Sequence, residues 1–135
     1  MTDEARKALV AAMPYAAALG IEVRQAAPEA VVGCLRWAAE RCTTAGLLHG
    51  GALMSLADTL GAICAFLNLP PGAGTTTIES KTNFLRGVRE GHVDATARPL
   101  HVGRSFIVVQ TELRDAAGKL VAQVTQTQAV LAPRG

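Results

Sequence analysis

The sequence is poor in aromatic residues, in net charge and in cysteine. Its 135 residues include one Trp, one Tyr and three Phe, and its formal net charge is only +2 at pH 7. A nucleic-acid partner normally requires clustered positive charge together with aromatic rings that stack on bases, so nucleic acid is not expected as a partner. The three cysteines are odd in number and lack the spacing of metal ligands, which predicts reduced thiols in an intracellular protein.

A long uninterrupted apolar run is also missing. No segment reaches the roughly 18 consecutive strongly apolar residues of a membrane-spanning helix. An apolar stretch does follow Arg6 and Lys7, as in a signal peptide, but acidic residues precede the basic pair and Pro14 interrupts the stretch. We therefore predict an amphipathic surface helix over residues 1–19, no membrane partner and a cytoplasmic location.

What the chain does have is apolar content. Half of its residues are hydrophobic, with alanine prominent among them. A chain of this length fits one domain, here residues 1–135, and buries roughly two-thirds of the surface of its unfolded state. The abundance of small residues predicts elements that pack closely around few large side chains.

The best-defined element is a long helix. The segment Ala52–Leu67 contains no proline, and only Gly61 within it is a poor helix former, so we predict a central helix over residues 51–68. Because this helix is apolar nearly all round, it is expected to be buried.

The other segments are predicted to be strands. Two short ones cover 21–27 and 29–37, and four longer ones with period-two patterns cover 75–86, 91–100, the region of 107–113 and 120–130. In the first long strand, Ile78 and Phe84 are predicted to share a face with Ser80 and Thr82. This order predicts an α+β protein in which an antiparallel sheet of five to six strands curls around the helix. A second copy would cover the surface that the single sheet leaves exposed.

Three polar side chains interrupt the apolar helix. Ser55, Asp58 and Thr59 have the spacing i, i+3, i+4 and therefore share one face. A carboxylate on such a helix is costly unless it is hydrogen-bonded, paired or functional. Asp58 is therefore a candidate catalytic or ligand-facing residue, although satisfaction by neighbouring hydroxyls or an interface is the alternative.

The start of the same helix has the chemistry of an oxyanion hole. Gly50 and Gly51 allow a substrate to approach the backbone, and the free N–H groups of a helix N-terminus point outward as donors. Gly50 and Asp58 are separated by about 12 Å along the axis, at about 1.5 Å per residue. One small group cannot easily reach both on a single helix, so we predict a site shared between two chains with antiparallel helices.

These residues resemble a known family. The segment from His49-Gly50-Gly51 to Asp58-Thr59, the segment Phe84-Leu-Arg86-Gly-Val-Arg89-Glu-Gly91 and the segment His101-Val-Gly-Arg104 resemble hotdog-fold acyl-CoA thioesterases, in particular the phenylacetate-degradation (PaaI-like) group. The resemblance implies a hotdog fold, an acyl-CoA substrate, and homodimers that often pair into tetramers. It implies that Asp58 is a general base on water or a nucleophile on the thioester, and that the Gly50 N–H polarises the carbonyl. It implies no metal or redox cofactor, since coenzyme A is part of the substrate.

The remaining candidates surround this pair. Thr43 stands where several relatives have Asn or Gln and could orient a water, and His49 is a further catalytic candidate, although a structural hydrogen bond suits its place beside the helix start. The expected substrate-binding set consists of Gly51, Thr59, Asn83, Arg86, Arg89 and Arg104, of which the arginines suit the phosphates of coenzyme A. The histidines have no partner ligands at metal spacing, and Cys64 lies deep in the apolar helix, so neither a metal site nor a cysteine nucleophile is expected.

Two other functions remain open at this point. One is an acyl-CoA hydratase or acyl-carrier dehydratase, although the His-rich strand and Asn-Pro signatures typical of those enzymes are missing. The other is a non-catalytic module that binds acyl-CoA or an aromatic ligand. Thioester hydrolysis of a medium-chain or aryl-acetyl type substrate is the reading that the residues favour.

Overall fold

The N-terminal segment forms two helices instead of one. The computed structural model describes residues 1–133, and in it α1 covers Asp3–Ala11 and α2 covers Pro14–Leu19. The prediction of a single helix over 1–19 was therefore wrong. Pro14 occupies the first turn of α2, where its missing N–H costs nothing, and it holds the preceding Met13 in an extended conformation (φ −113°, ψ 90°).

One long helix and a six-stranded sheet make up the rest of the fold. The helix α3 covers Gly50–Leu67, within one residue of the predicted bounds. The strands are β1 (Glu22–Ala27), β2 (Ala30–Arg36), β3 (Gly74–Phe84), β4 (His92–Val102), β5 (Phe106–Asp115) and β6 (Leu120–Leu131). All five pairings are antiparallel, in the order β1-β2-β4-β5-β6-β3. The predicted helix wrapped by a curved antiparallel sheet is confirmed.

The inner face of the sheet packs on α3. The residues predicted to share faces in β4 and β5 are fully buried: Val93, Ala95, Ala97, Ile107, Val109 and Leu113. From the helix, Leu56 and Leu60 are equally buried. Gly33 on β2 permits this close contact, because a methyl group there would lie 2.8 Å from a Leu60 methyl carbon.

The opposite face of α3 is open in a single chain. Met54 is 38% exposed and Phe66 is 58% exposed, so a single chain buries only one face of the helix that was expected to be buried. The six strands curl around one side of α3, and the sheet ends before it covers the other. By length and composition α3 is also the one helix in residues 1–133 that could cross a membrane, although 56% of it is buried inside the fold.

A β-bulge changes the face assignment in β3. Thr77 pairs with Gln128 and Glu79 pairs with Thr127, so Ile78 is an extra residue without a partner. The prediction that Ile78 shares a face with Ser80 was therefore wrong, since the extra residue shifts the alternation by one and puts Thr77 on the inner face instead. β3 is also an edge strand.

The buried thiol of Cys64 makes the stability of the fold sensitive to alkaline pH. Burial raises the pKa of Cys64 to about 11, against an ordinary value of 9.0. Because the folded-state pKa is the higher one, the unfolded chain loses its proton first, and the free energy of unfolding should fall as the pH rises from 9 towards 11. Urea denaturation at pH 8, 9 and 10.5 should show a smaller fall for Cys64→Ala than for the wild type.

Cys42→Ala is the control for this measurement, because it keeps both fully buried thiols, Cys34 and Cys64. Its alkaline loss should match that of the wild type. An equal loss in Cys64→Ala would show that this thiol is not responsible.

Candidate active site

The loop before α3 is tied down by backbone contacts. Arg41 donates from Nε to the Leu19 carbonyl at 2.6 Å and from a terminal nitrogen to the Arg36 carbonyl at 3.0 Å. The Trp37 indole N–H donates to the Gly46 carbonyl at 2.9 Å. At the end of the loop, the His49 N–H donates to the Arg41 carbonyl at 2.9 Å. These bonds hold the loop, and with it the first residue of α3, in one position.

The start of α3 presents one free donor. His49 is the N-cap, and its Nδ1 accepts the Gly51 N–H at 2.7 Å. The N–H groups of Ala52 and Leu53 both donate to the His49 carbonyl. Within residues 1–133 no acceptor lies in hydrogen-bond range of the Gly50 N–H, so Gly50 is the donor that remains available to a ligand. His49 therefore makes the structural hydrogen bond considered in the sequence analysis, and Gly51 has no N–H left to offer.

Asp58 is held through one of its two oxygens. Its Oδ1 accepts hydrogen bonds from Thr77 Oγ1 and from Gln126 Nε2, both at 3.2 Å. In the described part of the chain, Oδ2 has no such partner, and Asp58 is exposed in the single chain. The carboxylate is thus oriented by two donors on Oδ1 and presents Oδ2 outward.

The residues that hold Asp58 were missed in the sequence. Gln126 and Gln128 are both fully buried on the inner face of β6, continuing the line of Ala122 and Val124. Gln128 Nε2 donates to Thr77 Oγ1 at 2.7 Å. The available signal was the period of two: residues 122, 124, 126 and 128 fall on one face, so two amides stand where a core would have apolar side chains.

Glycine at position 61 makes room for this arrangement. A methyl group there would overlap the Gln126 carboxamide oxygen, so a larger residue fits only if the Gln126 side chain moves. The residue that weakens the helix in the sequence therefore allows the amide to lie directly against α3, one turn beyond Asp58.

The edge strand β3 runs past both candidate groups. Its last residue, Phe84, lies with its ring against Gly50, where a methyl group would be 3.1 Å from the ring. Near the other end of the strand, Thr77 contacts Asp58. Gly50 and Asp58 thus lie along the same open edge of the sheet, and the eight residues between them on α3 correspond to about 12 Å at the standard helical rise.

The other candidates are spread over the chain. Thr43 lies exposed in the loop before α3, and Thr59 is half-buried beside Asp58. Neither makes a side-chain hydrogen bond to Asp58 in the described residues. Asn83 pairs with Gln123 on the outer face of the sheet, where its Oδ1 accepts from Lys81 Nζ at 3.1 Å. A single chain therefore does not bring Asn83 to the site.

The three arginines lie at opposite ends of β3. Arg86 and Arg89 are exposed just after the strand ends at Phe84, whereas Arg104 is exposed in the β4–β5 turn. That turn lies beside the start of β3, because Ser105 accepts from the N–H of Val130 and Val130 pairs with Thr75. Eleven residues of strand span about 35 Å, so one chain does not gather the three guanidinium groups.

Two concave regions flank these elements. A groove of about 620 Å³ lies between α1 and β1, and none of the candidate residues lines it. A smaller hollow of about 390 Å³ lies beside the start of α3, lined by Tyr15, Arg41, His49, Gly51 and Ser55, among others. We associate the second with the site, because it adjoins the helix start and is lined by His49 and Gly51. Residues 1–133 contain no group of three His, Cys, Asp or Glu side chains placed to hold a metal ion.

Comparison with known proteins places the site in context. A family model described as "Thioesterase superfamily" matches residues 45–122, which include Gly50, Asp58 and Phe84. A 1,4-dihydroxy-2-naphthoyl-CoA hydrolase from Escherichia coli is 36% identical over 86 residues, 64% of this chain and 63% of that protein. The chain spans 57% to 65% of the length of the first curated relatives it matches.

Two solved structures superpose on this protein over nearly its whole length. A thioesterase from Haemophilus influenzae has a TM-score of 0.89 at 28% identity, covering 97% of this chain and 91% of its own. A thioesterase variant from Pseudomonas aeruginosa has a TM-score of 0.88 at 30% identity, covering 93% of both chains. The fold and the helix that carries the candidate site are therefore shared with thioesterases.

Gly61 provides a test of the packing beneath the site. On helix propensity alone, Gly61→Ala should stabilise the protein by about 1 kcal/mol. Overlap with Gln126 should reverse this sign, and we expect a net loss of about 1 to 3 kcal/mol in the free energy of unfolding, measured by urea denaturation.

The same substitution in a Gln126→Ala background is the matched control. Removal of the carboxamide frees the space, so Gly61→Ala should become neutral or stabilising there. Equal effects in both backgrounds would contradict the assigned contact.

Proposed function

The chain belongs to the thioesterase superfamily, and from this premise we propose that it hydrolyses acyl-CoA thioesters to a free acid and coenzyme A. The observation that carries the proposal is the oriented Asp58 carboxylate, with two donors on Oδ1 and a free Oδ2, on the same helix as the free Gly50 N–H. Membership of the phenylacetate-degradation group in particular remains a prediction.

Asp58 and Gly50 have complementary roles in this reaction. Asp58 Oδ2 takes a proton from a water molecule whose oxygen adds to the thioester carbonyl, or Oδ2 itself adds to that carbon. In the second route, loss of coenzyme A leaves a mixed anhydride on Asp58, and water then hydrolyses it to release the acid and restore the carboxylate. The Gly50 N–H donates to the carbonyl oxygen as it becomes negative, a contact worth about 3 kcal/mol in the transition state. Collapse breaks the C–S bond, and coenzyme A leaves as its thiol after taking up a proton. Water and a carboxylate suffice, so the proposed reaction requires no metal or redox cofactor.

We propose that two chains complete each site. Asp58 is exposed in one chain, and the Gly50 N–H lies about 12 Å away along α3, too far for both to reach one thioester group. The edge strand β3 passes both groups and exposes Ile78 (58%), Phe84 (52%) and Leu85 (58%). Pairing of two β3 edges would cover these side chains and the open face of α3. A dimer, with pairing of dimers into a tetramer, is therefore the proposed assembly.

The proposed substrates are acyl-CoA thioesters of medium-chain or aryl-acetyl type. The Escherichia coli relative is named for an aromatic acyl-CoA, and the aromatic ring of Phe84 lies beside the Gly50 donor. Arg86, Arg89 and Arg104 are exposed cations suited to phosphate oxygens, and a second chain would be needed to bring both ends of β3 to one coenzyme A. Thr43 and Asn83 remain proposed substrate or water contacts on the same basis. Coenzyme A thioesters and reduced thiols favour a cytoplasmic location.

Asp58→Asn tests the chemistry. The amide cannot accept a proton from water, so kcat should fall by about 10²- to 10⁴-fold with the melting temperature unchanged. The measurement is release of free thiol from a panel of acyl-CoA thioesters that includes phenylacetyl-CoA and octanoyl-CoA. Near-normal turnover by the variant would contradict the proposed role of Asp58 as the reactive carboxylate.

The matched control is Asp94→Asn, a half-exposed carboxylate on β4 that should leave turnover unchanged. The same panel separates the other candidate functions for the wild-type protein. Binding of a thioester without thiol release would identify a binding module, and addition of water without thiol release would identify a hydratase.

Gly50→Pro tests whether the Gly50 N–H takes part in the reaction. Proline at the first helical position removes only the N–H, whereas Gly50→Ala retains it and meets the same Phe84 ring. We expect Gly50→Pro to lose about 10²-fold in kcat relative to Gly50→Ala.

Refolding Gly50→Pro together with Asp58→Asn extends this test. In a mixed dimer with shared sites, one of the two sites has both native groups, so an equal mixture should recover about a quarter of wild-type activity. If each site lay within one chain, the mixture would remain as inactive as its components.

A further inference from the structure

Two buried amides on β6 are placed to control the orientation of Asp58. Gln126 and Gln128 have no exposed surface, yet they occupy inner-face positions of a strand whose neighbouring inner residues are Ala122 and Val124. A buried amide costs free energy unless its hydrogen bonds are made. In this case both amide nitrogens are directed towards the Asp58 side of the helix.

The hydrogen-bond directions in this network are determined by its chemistry. The Gln128 side chain has its N–H donors on Nε2 alone, and at 2.7 Å one of them is given to Thr77 Oγ1. With its lone pair used in this way, the single hydroxyl hydrogen of Thr77 is free to point at Asp58 Oδ1, 3.2 Å away. Gln128 therefore acts on Asp58 through Thr77, and Gln126 acts on the same oxygen directly.

Two features beside Asp58 reduce the stability of the elements that contain them. The bulge at Ile78 interrupts the β3–β6 ladder and puts Thr77 on the inner face. Gly61 weakens α3 and makes room for the Gln126 carboxamide, whose Oε1 is buried without a hydrogen-bond partner in the described residues. Neither cost is needed for a sheet to pack on a helix, because apolar side chains at 126 and 128 would serve that purpose.

We propose that Gln126, Gln128 and Thr77 are positioning residues, which fix the Asp58 carboxylate through Oδ1 so that Oδ2 faces the thioester. Asp58 is exposed and on a helix, and without these donors its side chain would sample several rotamers. The network selects one of them before substrate arrives. This inference rests on the proposed role of Asp58 as the reactive carboxylate.

The Thr77→Val and Thr77→Ser pair is the primary test. Thr77 lies on the edge strand and is exposed, so neither change should prevent folding. Valine keeps the shape and removes the hydroxyl, whereas serine keeps the hydroxyl. With phenylacetyl-CoA, or octanoyl-CoA if it reacts faster, we expect Thr77→Val to lower kcat by about 10- to 100-fold with KM within about threefold, and Thr77→Ser to restore most of the loss.

Gln126→Met is the second variant, since methionine fills a similar volume without an amide donor. Its kcat should fall in the same range, again with little change in KM. Gln123→Met, a change of the same kind on the outer face of β6, should leave both constants unchanged. A melting curve for each variant, and active-site concentrations corrected for folded protein, separate a loss of fold from a loss of orientation.

The outcomes distinguish this inference from the proposed function. If Asp58→Asn keeps normal turnover, the proposed role of Asp58 fails, and the network has no carboxylate to position for catalysis. If Asp58→Asn is impaired while Thr77→Val matches Thr77→Ser in kcat, only the positioning role is overturned. A rise in KM without a fall in kcat would likewise overturn it, because it would indicate a contact with bound substrate.

Discussion

The packing of one helix across the whole inner face of the sheet is the constraint on which the molecule depends. All six strands contact the helix through small and branched side chains, and few large anchors are present. Each fully buried leucine contributes about 1.5 to 3 kcal/mol, so Leu56 and Leu60 carry a large share of the marginal stability of a domain this size. The same element supplies the candidate catalytic groups, which makes the core and the site one structure.

Because the same helix carries the core residues and the candidate catalytic groups, polar side chains lie close to the core. Asp58 is one helical turn before Gly61, and the donors that hold it come from the inner face of the sheet. Gln126 supplies one of these donors from β6, and Thr77, which accepts from Gln128, supplies the other from β3. At the other end of the interface, His49 caps the helix through Gly51 and leaves the Gly50 N–H unused. Both ends of the proposed reaction centre are thus positioned by groups that also complete the fold.

The sequence allowed the long helix and the order of helix and strands along the chain to be predicted, because each of these elements has a local signal. The apolar run bounded by glycines predicts α3 to within one residue, whereas the catalytic roles of Gly50 and Asp58 remain predictions. Pro14 interrupts the N-terminal apolar stretch in the sequence, and the same residue begins α2, where one continuous amphipathic helix was predicted.

What was not predicted depends on pairing between distant segments. Residues 125–128 read Thr-Gln-Thr-Gln, without the apolar contrast that reveals which face is buried. The bulge in β3 is a property of its register against β6, and periodicity within β3 alone predicted the wrong face for Ile78. The hydrogen bonds to Asp58 join residues 19 and 68 positions away, a separation that no local pattern encodes.

The bulge at Ile78 has a consequence for how the molecule meets other chains. An edge strand is a template for unwanted pairing, since its outward N–H and C=O groups can extend the sheet indefinitely. A strand with one extra residue is twisted and offset at that point, so a regular foreign strand can match Gly74–Thr77 or Glu79–Phe84 but not both in one register. The irregularity that turns Thr77 inward therefore also disfavours regular pairing along the longer of the two edge strands of the described sheet.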